Sequence, residues 1–216
     1  MSHVNQHIYQ LREDFMKSEL SENGLHKLPD LQFEQWMQNA IESKVTEVQA
    51  FNLCTVSGDC KPSSRIVYLR EFGSNFFYFY TNYTSRKAID ITGNKNVSLT
   101  FFWPELERQI RIEGTIEFAE KEKSDTYFNQ RPIESKIGAW SSPQSKNIVD
   151  RNALEKLVQE NTEKFKDKHI ERPEYWGGYK IIANYYEFWQ GRKSRLHDRI
   201  IYSLENNHWE IKRLAP

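Results

Sequence analysis

The first regular pattern along the chain is an apolar stripe with helical spacing that follows Pro29 and Asp30. Positions three and four residues apart share one face of a helix, and Asp30 is a suitable N-cap. The stripe consists of Phe33, Trp36, Met37, Ala40, Ile41 and Val45. The residues before it are mostly polar, so we expect a flexible N-terminal arm over 1–28 and a single domain over 29–216.

After residue 50 the apolar period shortens towards two, which predicts β-strands. We predict strands over residues 50–56, 61–70, 76–81, 97–103, 109–118, 179–190, 199–204 and 209–214. Helices are expected over 85–91 and 121–130, and around the apolar residues Ile148, Leu154, Leu157, Val158 and Phe165. Because short turns join neighbouring strands, the pattern indicates mainly antiparallel β structure with packed helices, either a barrel or an α+β fold.

The composition excludes several classes of protein. Thirty Lys and Arg residues balance thirty Asp and Glu residues, so the formal net charge of the 216-residue chain is zero. A polyelectrolyte binder of nucleic acid or of an anionic membrane carries a basic excess that this chain lacks. No apolar run reaches the ~20 residues of a membrane span, and the N-terminus does not resemble a secretory signal. Cys54 and Cys60 are expected to stay reduced in a cytoplasmic protein.

Two clusters of cationic residues lie in the first half of the chain, which has no Gly-rich nucleotide loop. Arg65 and Arg70 are five positions apart, so a regular strand would point them to opposite faces unless it carried a bulge. A second cluster follows a predicted strand and opens a predicted helix, where helix N–H groups and two cations can bind a phosphate. This second cluster consists of Tyr80, Thr81, Arg86 and Lys87.

Two further clusters lie in the second half. Tyr127 and Arg131 are four positions apart and share one face of the predicted helix. Arg131 is near the helix C-terminus, where the dipole disfavours anions, so it needs direct bidentate contact to bind one. If their segment is extended, Arg195, His197 and Arg199 share one face. Each cluster alone is commonly a solvated surface, but four in a neutral chain suggest that the protein binds two phosphorylated molecules.

Several blocks of sequence between about Leu31 and Pro216 resemble the pyridoxine (pyridoxamine) 5′-phosphate oxidase family. They read RIVYLR at 65–70, FYTN at 79–82, SRKA at 85–88, ERQIRIEG at 107–114, RP at 131–132, SKIGAW at 135–140, QS at 144–145, WGGY at 176–179, EFWQG at 187–191, RLHDR at 195–199 and RLAP at 213–216. Their order and spacing make the resemblance specific. Scattered histidines give no sign of a metal site.

The resemblance implies an FMN-binding split β-barrel that forms a homodimer with FMN in the cleft between subunits. It also implies oxidation of pyridoxamine or pyridoxine 5′-phosphate to pyridoxal 5′-phosphate. The reaction would proceed by hydride transfer to the flavin N5, with O2 as acceptor and hydrogen peroxide as product. Its partners are therefore small molecules and a second copy of the chain, with no nucleic acid and no membrane.

The resemblance also implies residue roles. FMN would be held by Arg65, Tyr80, Thr81, Arg86, Lys87, Gln109, Gln144, Ser145, Trp189 and Arg199. The substrate would contact Arg12, Arg70, Tyr127, Arg131, Ser135, Arg195 and His197, of which Arg195 and His197 are the expected catalytic residues.

The chain departs from the family pattern at two positions. Arg70 stands where relatives commonly have Lys, and its forked guanidinium can hold a phosphate bidentately. Phe15 stands where Tyr is common, so a lid contact through a phenolic hydroxyl is absent.

Two alternatives remain open. One is a flavin-binding relative that acts on another substrate. The other is a small barrel that binds single-stranded nucleic acid through aromatic and Arg side chains. The acidic excess of the first 50 residues, with eight Asp and Glu against four Lys and Arg, weighs against nucleic acid.

Overall fold

The computed structural model describes Asn5 and residues 15–216. Five α-helices lie between residues 15 and 216: α1 Pro29–Glu42, α2 Arg86–Gly93, α3 Lys121–Asn129, α4 Ile133–Ser141 and α5 Arg151–Lys164. The same part of the chain forms nine strands: β1 Ala50–Val56, β2 Pro62–Tyr68, β3 Glu71–Gly73, β4 Phe76–Asn82, β5 Asn96–Trp103, β6 Arg108–Phe118, β7 Trp176–Gln190, β8 Asp198–Glu205 and β9 His208–Leu214.

The strands form one sheet in the order β2-β1-β5-β6-β7-β4-β3, with β8 pairing to both β7 and β9. The pairs β1–β2, β3–β4, β4–β7, β7–β8 and β8–β9 are antiparallel. This topology confirms the predicted antiparallel β fold with helices. The short strand β3 and the helix α4 are additions that the sequence analysis does not predict. Three residues are too few to show a period, and α4 follows Pro132, where the preceding helix is expected to end.

The chain divides into two compact units. The first unit comprises Met1–Val48, Thr100–Ile112 and Tyr185–Pro216, and the second comprises Gln49–Leu99 and Glu113–Asn184. None of the described helices is long and apolar enough to cross a membrane. Cys54 and Cys60, both in the second unit, are free thiols.

The core of the first unit is built on the apolar stripe of α1. Phe33 and Trp36 are buried, and their rings meet Phe101 and Phe188 edge-on at centroid distances of 5.3 and 5.2 Å. The predicted N-cap is wrong, because Leu28 occupies the cap position. Pro29 is the first helical residue, a position that suits proline since its missing N–H has no helical partner there.

The core of the second unit is aromatic and lies on the strands. The ring of Phe79 on β4 meets Phe51 on β1 edge-on at 6.1 Å and stacks on Tyr179 of β7 at 5.7 Å. Gly114 on β6 permits close approach of β7, because a Cβ there would overlap the carbonyl oxygen of Ile182. A smaller cluster of Phe128, Ile137, Ile170 and Trp176 packs α3 and α4 together.

Gly114→Ala is expected to lower the free energy of unfolding by about 3 kcal/mol, because β6 and β7 must separate to admit the methyl group. Chemical denaturation of the variant measures this loss. Gly24→Ala is the control, since a Cβ at Gly24 meets nothing within 4 Å. A Gly114→Ala protein as stable as the Gly24→Ala control would contradict the close approach of the strands.

Candidate functional site

A cavity of about 630 Å³ lies within the second unit. Residues from β2, β4, α2, α3 and α4, together with the turns beside them, form its wall. Nine of the predicted site residues line it: Arg65, Arg70, Tyr80, Thr81, Lys87, Tyr127, Arg131, Ser135 and Gln144. The structure therefore brings together both predicted phosphate-binding clusters, which are far apart in sequence.

Arg65 and Arg70 reach the same cavity because β2 ends at Tyr68. Beyond the strand end the chain turns, and the backbone N–H of Arg70 donates to the carbonyl oxygen of Tyr78 at 2.9 Å. The expectation of opposite faces, or of a bulge, is thus wrong, since the alternation of a strand does not continue to Arg70. The Arg70 guanidinium lies 6.0 Å from the ring centroid of Tyr127.

Lys87 is a buried cation in the wall of the cavity, with only 8% of the residue exposed. Its ammonium donates to Thr81 Oγ1 at 3.0 Å, to Ser85 Oγ at 3.2 Å and to Gln144 Oε1 at 2.9 Å. All three acceptors are neutral. Burial, with a further contribution from the charge of Arg65, lowers the pKa of Lys87 to about 8.

Arg131 is a second cation of the cavity wall and is partly buried. Helix α3 ends at Asn129, so Arg131 lies in the following turn and not on the helix face that the spacing predicts. Its guanidinium lies 4.4 Å from the ring centroid of Trp176, and its buried Nη1 has no hydrogen-bond partner. Desolvation, and to a lesser extent the charge of Arg70, lowers the pKa of Arg131.

Stacked aromatic rings form another part of the wall. Tyr80 and Tyr127 stack with centroids 3.8 Å apart and an angle of 12° between the ring planes. Trp176 is nearly parallel to both rings, at 5.8 Å from Tyr80 and 6.2 Å from Tyr127. Burial raises the pKa of Tyr80 to about 12, so its hydroxyl stays protonated and can act as a donor at neutral pH.

The cavity is chemically suited to anions. Within the described residues, neither Lys87 nor Arg131 forms an ion pair with a carboxylate. A buried cation without a counterion costs several kcal/mol, so each site gains stability from a bound anion. The cations form two groups, since Arg65 lowers the pKa of Lys87 and Arg70 lowers that of Arg131. The cavity can therefore hold two phosphate groups, which is the fit that a phosphorylated flavin and a phosphorylated substrate require.

The first unit holds a second group of predicted residues. Trp189 and His197 have ring centroids 4.6 Å apart, and Phe15 contacts both rings edge-on at 5.7 and 5.8 Å. The backbone N–H of Arg192 donates to Nδ1 of His197 at 3.1 Å. Because Nδ1 accepts this hydrogen bond, the neutral imidazole carries its proton on Nε2. Desolvation and the charge of Arg195 lower the pKa of His197.

The predicted shared face of Arg195, His197 and Arg199 is wrong. Lys193–Arg195 form a 3-10 turn, and β8 begins only at Asp198. Ser194 and Arg195 have φ angles of 57° and 62°, in the left-handed region, so strand alternation does not apply there.

Other predicted residues lie outside the lining of the cavity. Arg199 is held by the buried Glu187, whose Oε1 accepts from Arg199 Nε at 2.8 Å and whose Oε2 accepts from Arg111 Nη1 at 3.0 Å. Gln109 is half-buried on β6 of the first unit. Arg86 and Ser145 are exposed residues of the second unit. Arg12 lies outside the described residues.

The structure adds polar residues that the sequence reasoning did not select. Thr55 and Asp90 are buried behind Arg65, and Glu187 is buried behind Arg199. Thr55 follows the buried Leu53 by two residues on β1, so it occupies a strand position that should face the core. A polar residue at such a position is the feature of the sequence that could have identified Thr55.

Comparisons with known proteins point to one family. Residues 37–164 match the family described as pyridoxamine 5′-phosphate oxidase, and residues 176–216 match the pyridoxine 5′-phosphate oxidase C-terminal dimerisation region. A pyridoxine/pyridoxamine 5′-phosphate oxidase of Acidovorax sp. (strain JS42) is 45% identical over 100% of both chains. One of Actinobacillus pleuropneumoniae serotype 5b (strain L20) is 48% identical over 97% of this chain and 99% of the relative.

Solved structures share the fold. PhzG from Burkholderia lata 383, in complex with tetrahydrophenazine-1-carboxylic acid, superposes with a TM-score of 0.85 at 28% identity, covering 91% of this chain and 98% of PhzG. A pyridoxamine 5′-phosphate oxidase-related, FMN-binding protein from Nostoc punctiforme has a TM-score of 0.68 at 16% identity over 89% of this chain and 99% of its own. The predicted fold, a split barrel of the FMN-binding type, is confirmed.

The affinity of the apoprotein for FMN is expected to be nearly constant from pH 7 to about pH 8, since the flavin phosphate is already mostly doubly charged there, and to fall above it. Phosphate binding favours the charged ammonium of Lys87, whose pKa in the free protein is about 8. Each pH unit above this value then weakens binding by up to about tenfold. Quenching of flavin fluorescence on titration with apoprotein, between pH 7 and pH 9.5, measures the effect.

Lys87→Met supplies the control for this titration. The variant should bind FMN more weakly at every pH and lose the decline above pH 8, since it has no ammonium to deprotonate. An equal decline in Lys87→Met would assign the titration to another group and contradict the prediction.

Proposed function

The chain belongs to the pyridoxine/pyridoxamine 5′-phosphate oxidase family, which uses FMN, and from this premise we propose that it converts pyridoxamine or pyridoxine 5′-phosphate to pyridoxal 5′-phosphate with O2 as electron acceptor. The proposal rests on the cavity, which is lined by four cations, the buried Lys87 with Arg65 and the partly buried Arg131 with Arg70, because the reaction needs one phosphate site for FMN and one for the substrate. The division into an arm over 1–28 and one domain over 29–216 stays a prediction.

The group around Lys87 is assigned to FMN. The ammonium of Lys87 has only neutral partners, among them Thr81 and Gln144, which also line the cavity, and Arg65 lines the same cavity. A phosphate there supplies the missing negative charge. Tyr80 in the cavity wall belongs to the same set, and the resemblance adds Arg86, Gln109, Ser145, Trp189 and Arg199.

The group around Arg131 is assigned to the substrate phosphate. Its buried Nη1 is a donor without an acceptor, and Arg70 brings a second guanidinium to the same part of the cavity. Tyr127 and Ser135 line the wall beside them and offer hydroxyl donors. Arg195 and His197 are assigned to the substrate ring on the basis of the resemblance, which also adds Arg12.

The residues around Lys87 would hold FMN, which would supply the hydride acceptor (N5) of the reaction, with O2 as the final oxidant and hydrogen peroxide as its product. The protein contributes binding and orientation. Arg70 and Arg131 hold the substrate by a phosphate remote from the reacting carbon, so the binding energy can align that carbon. His197 holds its proton at Nε2 and acts as a hydrogen-bond donor, since its Nδ1 already accepts from Arg192.

We further propose that FMN binds in the cleft between two subunits of a homodimer. A homodimer agrees with the match of residues 176–216 to a dimerisation region. Ile66 and Tyr68 line the cavity yet are 62% and 41% exposed, and Ile133 at the start of α4 is 63% exposed. A second subunit over this side would bury apolar surface and exclude water from the cavity.

A second candidate function is flavin chemistry on another substrate. The structural likeness to PhzG, whose solved complex contains tetrahydrophenazine-1-carboxylic acid, favours it. The group of Arg70 and Arg131 favours a substrate with a phosphate, because a single carboxylate has fewer oxygen atoms than a phosphate to accept hydrogen bonds from the two guanidinium groups.

The purified protein is expected to be yellow and to form pyridoxal 5′-phosphate from pyridoxine 5′-phosphate. One O2 should be consumed and one hydrogen peroxide formed per product, measured with an oxygen electrode and a peroxidase-coupled assay. A protein that stays colourless and takes up no added FMN would rule out the cofactor assignment. A yellow protein whose flavin is reduced by neither phosphorylated substrate would favour the second candidate.

Arg131→Met is expected to lower kcat/KM for pyridoxine 5′-phosphate by about 100-fold, since a charge-assisted phosphate contact is lost. Methionine preserves apolar packing on Trp176. FMN affinity should change by less than about threefold, because the two phosphates use different cations. Lys87→Met should show the reverse pattern: a lower affinity for FMN, and a nearly unchanged kcat/KM when FMN is saturating. Equal losses of FMN affinity in both variants would contradict separate sites.

A further inference from the structure

Thr55 and Asp90 form a buried polar pair behind the wall of the cavity. Thr55 on β1 is 0% exposed and Asp90 on α2 is 5% exposed. The Thr55 hydroxyl donates to Asp90 Oδ2 at 2.8 Å. Neither residue lines the cavity, and neither belongs to the sites proposed above for FMN and substrate. A buried carboxylate is costly, so its position calls for a partner of opposite charge.

The partner is Arg65. Its Nη1 donates to Thr55 Oγ1 at 2.7 Å, and its Nη2 lies 3.7 Å from the same Asp90 oxygen that accepts the Thr55 hydrogen. A chain of hydrogen bonds therefore runs from Arg65 through Thr55 to Asp90. Because the hydroxyl of Thr55 donates to the carboxylate, its lone pairs are left to accept from the guanidinium.

Hydrogen-bond acceptors on β1 and β2 also bind the guanidinium of Arg65. Nη1 also reaches the carbonyl oxygens of Leu53 at 3.2 Å and Ser63 at 3.1 Å, and Nη2 donates to Ser63 Oγ at 3.0 Å. Within the described residues Nε has no acceptor, so this edge of the guanidinium remains for a ligand.

The pair also connects two elements that both contribute cations. Arg65 comes from β2, the last strand at one end of the sheet order, whereas Lys87 and Asp90 lie one turn apart on α2. The two cations repel each other, and β2 has a sheet neighbour on one side only within that order. A carboxylate on the helix that reaches Arg65 through Thr55 opposes this repulsion and sets the spacing of the two charges.

We propose that Thr55 and Asp90 are positioning residues that fix the guanidinium of Arg65 for the phosphate of FMN, and so set the preference of the site for FMN over riboflavin. The inference rests on the proposed FMN site. A Coulomb effect alone gives the opposite expectation, because a negative charge near a phosphate site weakens phosphate binding. The two accounts can therefore be separated by experiment.

The readout is the ratio of the dissociation constants of riboflavin and FMN, measured by quenching of flavin fluorescence with apoprotein. Riboflavin lacks the phosphate, so a general loss of structure weakens both ligands and leaves the ratio unchanged. Thr55→Val removes the hydroxyl at nearly constant volume and is expected to reduce the ratio by about tenfold. Thr55→Ser keeps the hydroxyl and should retain the ratio within about twofold.

Asp90→Asn tests the contribution of the charge separately, and it provides the test of the proposal if Thr55→Val does not fold. It keeps an oxygen that can accept from Thr55 but removes the charge that faces Arg65, and the ratio is expected to fall by about threefold. A ratio that rises in Asp90→Asn, or stays unchanged in both Thr55→Val and Asp90→Asn, would overturn the proposal. If the unaltered protein binds riboflavin and FMN equally, the proposed FMN phosphate site fails, which is a result distinct from either variant's.

Discussion

Lys87 is buried and Arg131 is partly buried in the wall of one cavity, and no carboxylate among the described residues pairs with either cation. Folding must place both charges in a poorly hydrated site, and neutral hydrogen-bond acceptors compensate for only part of the lost hydration. Bound phosphate groups would supply the negative charge that compensates for the lost hydration of the two cations. This constraint explains why polar groups such as Thr81, Gln144 and the Tyr80–Tyr127 stack gather around the two cations.

The fold places these cations in one cavity although they are distant in sequence. Strand β2 ends at Tyr68, which allows Arg70 to turn into the cavity that Arg65 also reaches. Helix α3 ends at Asn129, which places Arg131 against Trp176 at the start of β7. In each case the end of a regular element, rather than its interior, orients the cation. Sites built at element ends combine a rigid support with backbone freedom.

The sequence predicts the strongly periodic elements well, because α1 and the long strands bury a repeated apolar face. It fails where local geometry departs from a regular period. The left-handed φ angles of Ser194 and Arg195 break the alternation expected over residues 195–199, and Pro29 displaces Asp30 from the cap. Buried polar partners such as Thr55 and Asp90 are not predictable from spacing, because their roles depend on a contact between β1 and α2.

We infer that one cavity holds two phosphates at once, and phosphorus-31 NMR can observe both of them. Apoprotein is titrated with FMN to saturation and then with pyridoxal 5′-phosphate, the reaction product, so that no turnover occurs. Two separate bound phosphorus resonances of equal area are expected, one for each ligand per chain. Loss of the bound FMN resonance as pyridoxal 5′-phosphate is added would show a single shared phosphate site and contradict this inference.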